Sequence, residues 1–393
     1  MNEAYVLFVL SGLVLLASLL SIRLALSVSI LEIAMGVIAG NLFHISSTPW
    51  IDFLAGFGGV LLTFLAGAEV DTALFRAKLK ESLLIGGLSF LAPFAGTLLY
   101  CYFVAGWDLR AAEIGGVALS TTSLAVVYAV LVETGLTATE IGKTIMAACF
   151  VTDLGTVLAL SVLFAQVNWW TLGFVLISAA LIVCAPWLLR WFGNRYGGKV
   201  IEPDIKMVFF LLFGLMLVAQ LGQSHAVLPV FVLGAVLSRE FARQRELQRK
   251  LRILAFGIIT PFFFLKGGMN VSLAALVTSA GLAAVLFGVK VATKFAGVYP
   301  LARKYLRGNA MYATLLMSTG LTFGTISALY GLQAGYIDKG QFTVLVTVVI
   351  ATAIVPTAIA QRFFQPSAPF LIQGASAESG EAQQNNRLRR EDG

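Results

Sequence analysis

Charge is what this sequence has little of. Only 12% of its 393 residues are Asp, Glu, Lys or Arg, and 59% are hydrophobic; a soluble domain carries about 25% charge. The apolar residues fall in long runs, which excludes a water-soluble enzyme and marks a polytopic membrane protein. Cysteine is scarce as well. Cys101, Cys149 and Cys184 lie inside apolar runs without metal-type spacing, so they read as small buried hydrophobes. No basic residue precedes Arg23 and no small-residue cleavage site is evident, so Tyr5–Leu20 is expected to be a first span instead of a removable signal peptide. No strand, Gly-rich loop and helix pattern follows the apolar region. A nucleotide-binding domain is therefore not expected, and no cofactor is implied. The net charge of +7 is weak evidence for nucleic acid, because basic residues in such chains mostly report topology.

About 20 apolar residues make one membrane span. On that ruler the chain predicts an all-α membrane protein of about thirteen transmembrane helices. The approximate limits are 5–21, 27–43, 51–70, 82–105, 111–133, 141–165, 169–189, 206–222, 226–238, 253–265, 272–300, 309–332 and 341–361. With the N-terminus outside, the inward regions hold 22 of the 27 Lys and Arg residues. The outward side holds only Arg110, Lys266 and Lys339, and Lys290 and Lys294 lie inside a span. That asymmetry places the C-terminus in the cytoplasm. The membrane domain is expected over 1–364. The polar tail 365–393 has no apolar periodicity and is expected to be disordered.

The chain contains two copies of a pattern. Leu119-Ser-Thr-Thr-Ser-Leu124 interrupts the fifth span, and Leu316-Met-Ser-Thr-Gly-Leu321 interrupts the twelfth. Pro93-Phe-Ala-Gly96 lies in the fourth span and Lys294-Phe-Ala-Gly297 in the eleventh. Each match is seven spans apart. An odd shift means copies that face opposite ways, and the repeats are drawn at about 27–189 and 206–361. Ser120, Thr121, Thr122 and Ser123 supply hydroxyls that compete with helical hydrogen bonding. Ser318, Thr319 and Thr322 do the same beside Gly320 and Gly324. Two interrupted helices are therefore expected, with close packing through small residues as the alternative.

Asp153 stands near the middle of the sixth span. A carboxylate there is costly to bury and is usually kept for moving ions or protons. It can hold a proton or a cation, never both at once. Thr152 precedes it, and Cys149 and Thr156 share its face. Lys290 and Lys294 lie one turn apart on one face; they could snorkel to the inner surface or compensate Asp153 from within. Glu69 and Asp71 end the third span and are assigned a gate or structural role. Glu32 could sit at an interface or in polar packing, and His225 reads as an outward-loop residue. The stretch Arg239–Arg252 reads as a charged inner loop against anionic headgroups.

With these residues on the page, the chain resembles the monovalent cation:proton antiporters of the second cation:proton antiporter family. The resemblance is carried by Phe64-Leu-Ala-Gly-Ala-Glu-Val-Asp71, Ala118-Leu-Ser-Thr-Thr-Ser123, Phe150-Val-Thr-Asp-Leu-Gly155, Pro261-Phe-Phe-Phe-Leu-Lys-Gly-Gly-Met269 and Val355-Pro-Thr-Ala-Ile-Ala-Gln-Arg-Phe363. It implies an inverted-repeat antiporter fold with two crossed discontinuous helices, a homodimer, and a place in the bacterial inner membrane. It implies that Asp153 binds the monovalent cation or the proton, and that Lys294, followed by Gly297, is the core lysine. Electrogenic members carry two adjacent acids, whereas the first position here is Thr152, which points to electroneutral exchange of Na+ or K+ for H+. A cation channel and a transporter of another solute class are the competing readings. An intramembrane protease is disfavoured: Asp153 is the one deep aspartate, and Gly87-Leu-Ser-Phe90 lacks the second glycine of a serine-nucleophile motif.

Overall fold

Polar caps at the ends of apolar runs set where the helices begin. Asp108, Thr139 and Asp338 each accept a hydrogen bond from a backbone amide three residues on, at 2.7, 3.2 and 2.8 Å. Such caps satisfy amides that the first helical turn leaves free. The computed structural model describes residues 3–24, 27–69, 79–136, 139–164, 169–197, 199–222 and 226–366, and every regular element among them is helical. The His225 and Asp71 positions and the tail from 367 lie outside the described residues.

The first helices are α1 (Glu3–Leu24), α2 (Val28–Asn41), α3 (Pro49–Ala68) and α4 (Leu79–Phe103). The fifth span is two pieces, α5 (Leu109–Ser120) and α6 (Leu124–Glu133), followed by α7 (Glu140–Leu163). Then come α8 (Trp169–Tyr196), α9 (Pro203–Leu221), α10 (Val227–Arg243), α11 (Arg245–Leu254) and α12 (Thr260–Met269). The short α13 (Leu273–Thr278) precedes α14 (Ala280–Tyr305). The twelfth span is again split, into α15 (Ala310–Met317) and α16 (Thr322–Gln333), and α17 (Lys339–Phe363) is the last helix among the described residues. Eleven helical stretches are long and apolar enough to cross a bilayer; α2 is apolar but shorter. With α10 they account for the thirteen expected places.

Three expectations change. The basic stretch Arg239–Arg252 is the end of α10 and most of α11, parted only at Gln244, instead of a loop, because Leu247 and Leu251 bury one side of α11 while the basic residues take the other. Lys266, assigned to an outward loop, lies inside α12, where its buried ammonium pairs with Asp52 of α3. The eleventh span starts at Ala280, not 272, because Ser272 caps the separate helix α13. A π-helical turn over Ala255–Ile259 joins α11 to α12 just before Pro261. Proline has no amide to donate, and the wider turn absorbs that interruption.

The helices sort into two bundles. In one, α2 lies on α12, α3 on α10 and α12, and α8 on α9 and α10, with α1 outside α2. In the other, α4 lies on α14, α5 and α7, while α15, α16 and α17 close around them. Glycines make the closest approaches. A side chain at Gly67 would strike the carbonyl of Phe231, and one at Gly234 would strike the carbonyl of Phe64. The pair α2 and α12 repeats this contact: Gly36 lies against the carbonyl of Leu265, and Gly268 against that of Ile33. Gly96 likewise abuts Thr293 while Gly297 abuts Ala92. Each contact thus has a mate about 200 residues along the chain. Reciprocal pairs of this kind are what a two-fold relation between halves produces.

Candidate functional site

The two broken spans meet at their breaks. Thr121, Thr122 and Ser123 separate α5 from α6, and Ser318 to Leu321 separate α15 from α16. The hydroxyls of Ser120 and Thr121 donate to the carbonyls of Val117 and Ala118 at 2.8 and 3.1 Å. Those of Ser318 and Thr319 donate to Thr314 and Leu316 at 2.7 and 2.8 Å. Each polar run therefore adds hydroxyl donors to the carbonyls at its own helix end, where backbone pairing runs out. Two bonds cross between the breaks: Thr122 Oγ1 donates to the Met317 carbonyl at 2.9 Å, and the Ser123 amide donates to the Thr319 carbonyl at 3.2 Å. Irregular backbone at membrane depth survives because each break covers the other. Thr322 opens α16 and is half-buried.

Both lysines of α14 reach this crossing, and neither snorkels, since both are fully buried. Lys294 Nζ donates to Ser89 Oγ at 2.7 Å and to Thr122 Oγ1 at 2.9 Å. Lys290 Nζ donates to Thr352 Oγ1 of α17 at 3.0 Å. It lies where a side chain on Gly320 would stand, so the glycine in the second break makes room for the ammonium.

Asp153 sits at the middle of α7, 2% exposed. Among the described residues its Oδ1 has no hydrogen-bond partner. The charges that act on it are those of Lys294 and, more weakly, Glu69. An unpartnered, buried carboxylate oxygen is costly unless something comes to fill the place. Thr152 does not offer its hydroxyl proton to Asp153; it donates to the carbonyls of Ala148 and Gly86 at 3.1 and 3.3 Å and braces α7 on α4. Thr156 donates to the Thr152 carbonyl at 3.0 Å, and Cys149 lies 3.6 Å from the sulfur of Met317.

The outlying acids are placed differently. Glu69 caps α3, is partly exposed, and pairs with Arg252 at 3.4 Å. Glu32 is buried on α2. Glu240, which the sequence did not single out, is buried on α10 and pairs with Arg190 and Arg243. Asp52, also missed, holds Lys266. A charge at the first turn of a span was the available signal for Asp52.

Residues 9–365 match the family described as "Sodium/hydrogen exchanger, transmembrane". The chain belongs to that family. A relative from Methanocaldococcus jannaschii named "Probable Na(+)/H(+) antiporter 3" is 27% identical over 354 residues, covering 86% of this chain and 89% of its own. The "Na(+)/H(+)-K(+) antiporter GerN" of Bacillus cereus is 24% identical over 356 residues, covering 86% and 90%. The solved structure of the sodium proton antiporter MjNhaP1 from Methanocaldococcus jannaschii superposes with a TM-score of 0.68 at 14% identity, over 93% of this chain and all of that one; at that identity the likeness is one of fold. The exchanger's crossing therefore gathers Ser120, Thr121, Thr122, Ser123, Ser318, Thr319, Lys290 and Lys294, and Asp153 stands beside it on α7.

Proposed function

We propose that this exchanger passes one monovalent cation one way for one proton the other way, with Asp153 as the group that the two ions share in turn. The observation that carries this reading is the buried carboxylate oxygen that has no hydrogen-bond partner among the described residues, in a helix packed on the crossed breaks. A proton or an alkali cation would each fill that place. Lys294 supplies a fixed partner for the breaks and a positive charge near the carboxylate. The hydroxyls and carbonyls of Ser120 to Ser123 and of Ser318 to Thr322 hold the crossing in shape. Lys290 does so from the α17 side, and Thr152 braces the helix that carries Asp153. Glu69, with Asp71 beyond the described residues, belongs to the gate on its side of the membrane.

The two repeats, 27–189 and 206–361, supply the two bundles, and the bundle of α4–α7 and α14–α17 moves against the other to present Asp153 to each face in turn. A homodimer forms through the α1 and α8 side. Only 22% and 17% of the apolar windows of those two spans are covered within the chain. The N-terminus is outside and the C-terminus cytoplasmic, in the plasma membrane. With Lys266 inside a helix, only Arg110 and Lys339 count as outward, which sharpens the asymmetry.

One acid, with Thr152 where a second could stand, hands over one proton per cation, so exchange is electroneutral. The test is cation-induced proton release in proteoliposomes with sodium, potassium, lithium and rubidium, repeated under an imposed membrane potential. The expected result is saturable exchange with an alkali cation at a rate indifferent to voltage. Clear voltage dependence contradicts the one-for-one ratio, and flux that neither saturates nor follows the pH gradient contradicts exchange.

A further inference from the structure

Exchange requires that Asp153 be shut off from one aqueous face while it faces the other, so some apolar group must stand between it and water. Phe231 occupies such a position. It lies on α10, is 1% exposed, and belongs to the bundle opposite Asp153. Its ring stacks on Phe150 of α7 with centroids 5.6 Å apart and planes 13° apart. It also meets Phe323 of α16 edge-on at 6.0 Å and 73°. Phe150 is one turn before Asp153, and Phe323 follows Thr322 at the second break. The backbone of Phe231 is fixed from behind, because its carbonyl abuts Gly67, two residues before Glu69. The Glu69 side chain is 28% exposed, whereas Asp153 is buried. One residue thus touches both the exposed end of α3 and the turn that carries the carboxylate.

We propose that Phe231 is the seal that separates Asp153 from the water that wets Glu69, and that this side opens when Phe231 parts from Phe150 and Phe323. The three rings are the contact that a sliding of one bundle on the other must break and remake. Aromatic pairs add a modest attraction to what their burial contributes, enough to favour the closed state without locking it. The proposal rests on the assignment of Asp153 as the shared site.

The test uses the full chain in sealed proteoliposomes and measures proton entry in the absence of any transported cation, with charge balance supplied by an added ionophore. Phe231→Ala is expected to raise this leak severalfold over the wild type, and Phe231→Leu to raise it less. Adding Asp153→Asn to Phe231→Ala is expected to abolish the leak, because the path runs through the carboxyl group. A folded Phe231→Ala protein with a wild-type leak overturns the seal, and so does a leak that persists in the double variant, which would mark a mere packing hole. If Phe231→Ala fails to insert, Phe231→Leu and Phe150→Leu decide by the same criteria. Asp153→Asn alone separates the two failures: full exchange there removes the shared site itself, whereas loss of exchange there with a leak-free Phe231→Ala removes only the seal.

Discussion

Lys294 and Thr122 are joined by a hydrogen bond of 2.9 Å that spans 172 residues of sequence. Thr122 passes the connection on to the Met317 carbonyl. One hydroxyl therefore ties a buried ammonium to both broken helices. Thr122→Val removes that link while keeping the shape. A hydrogen bond to a charged group contributes about 1.5–3 kcal/mol, so thermal unfolding in detergent should show a loss of that order together with slower exchange. Thr122→Ser keeps the hydroxyl and should restore most of both.

Removing the ammonium itself should show in the pH dependence. Lys294 supplies the positive charge that acts on Asp153, and two charges held close together away from water are strongly coupled. Lys294→Gln should therefore move the pH profile of exchange, read as dye-reported exchange against pH at fixed cation concentration. An unmoved profile would assign that role elsewhere.

The glycine contacts predict matched pairs of variants. Gly67→Ala and its mate Gly268→Ala each push a methyl group into a facing backbone carbonyl. Overpacking of this kind costs about 1–3 kcal/mol, so both should lower the unfolding temperature. Gly12→Ala, which meets nothing within 4 Å, should not lower it, because alanine is the better helix former.

The pair Asp52 and Lys266 is lopsided. The lysine side chain is 10% exposed and the aspartate 50%. Asp52→Asn strands a buried ammonium, whereas Lys266→Met leaves a carboxylate that water can solvate. Breaking a pair from its exposed side is the worse change. The unfolding temperature of Asp52→Asn should therefore fall below that of Lys266→Met.

What could be read from the sequence was whatever departs from an apolar background. Asp153, the Ser/Thr runs and the paired Gly96 and Gly297 stand out against leucine and valine, and the span count follows from length alone. Lys290 was visible, but its burial was not: spacing shows that two lysines share a face, not whether that face meets lipid or α17. Gly36, Gly67, Gly234 and Gly268 were hidden because a glycine in an apolar helix looks the same whether it faces a carbonyl or a lipid chain. Helix α11 was hidden because its density of charge resembles a loop, and only the spacing of Leu247 and Leu251 betrays the buried side. Asp71 and His225 fall outside the described residues, so the roles given to them stay expectations.

The most direct measurement is cation-induced proton release by Asp153→Asn in proteoliposomes, set beside the wild type at equal incorporation and with the folded state verified by thermal unfolding. The amide keeps the size of the side chain but can neither release a proton nor balance a cation. The account predicts a stable, inserted protein that exchanges no sodium, potassium, lithium or rubidium for protons at any pH. Wild-type exchange by that variant would contradict it.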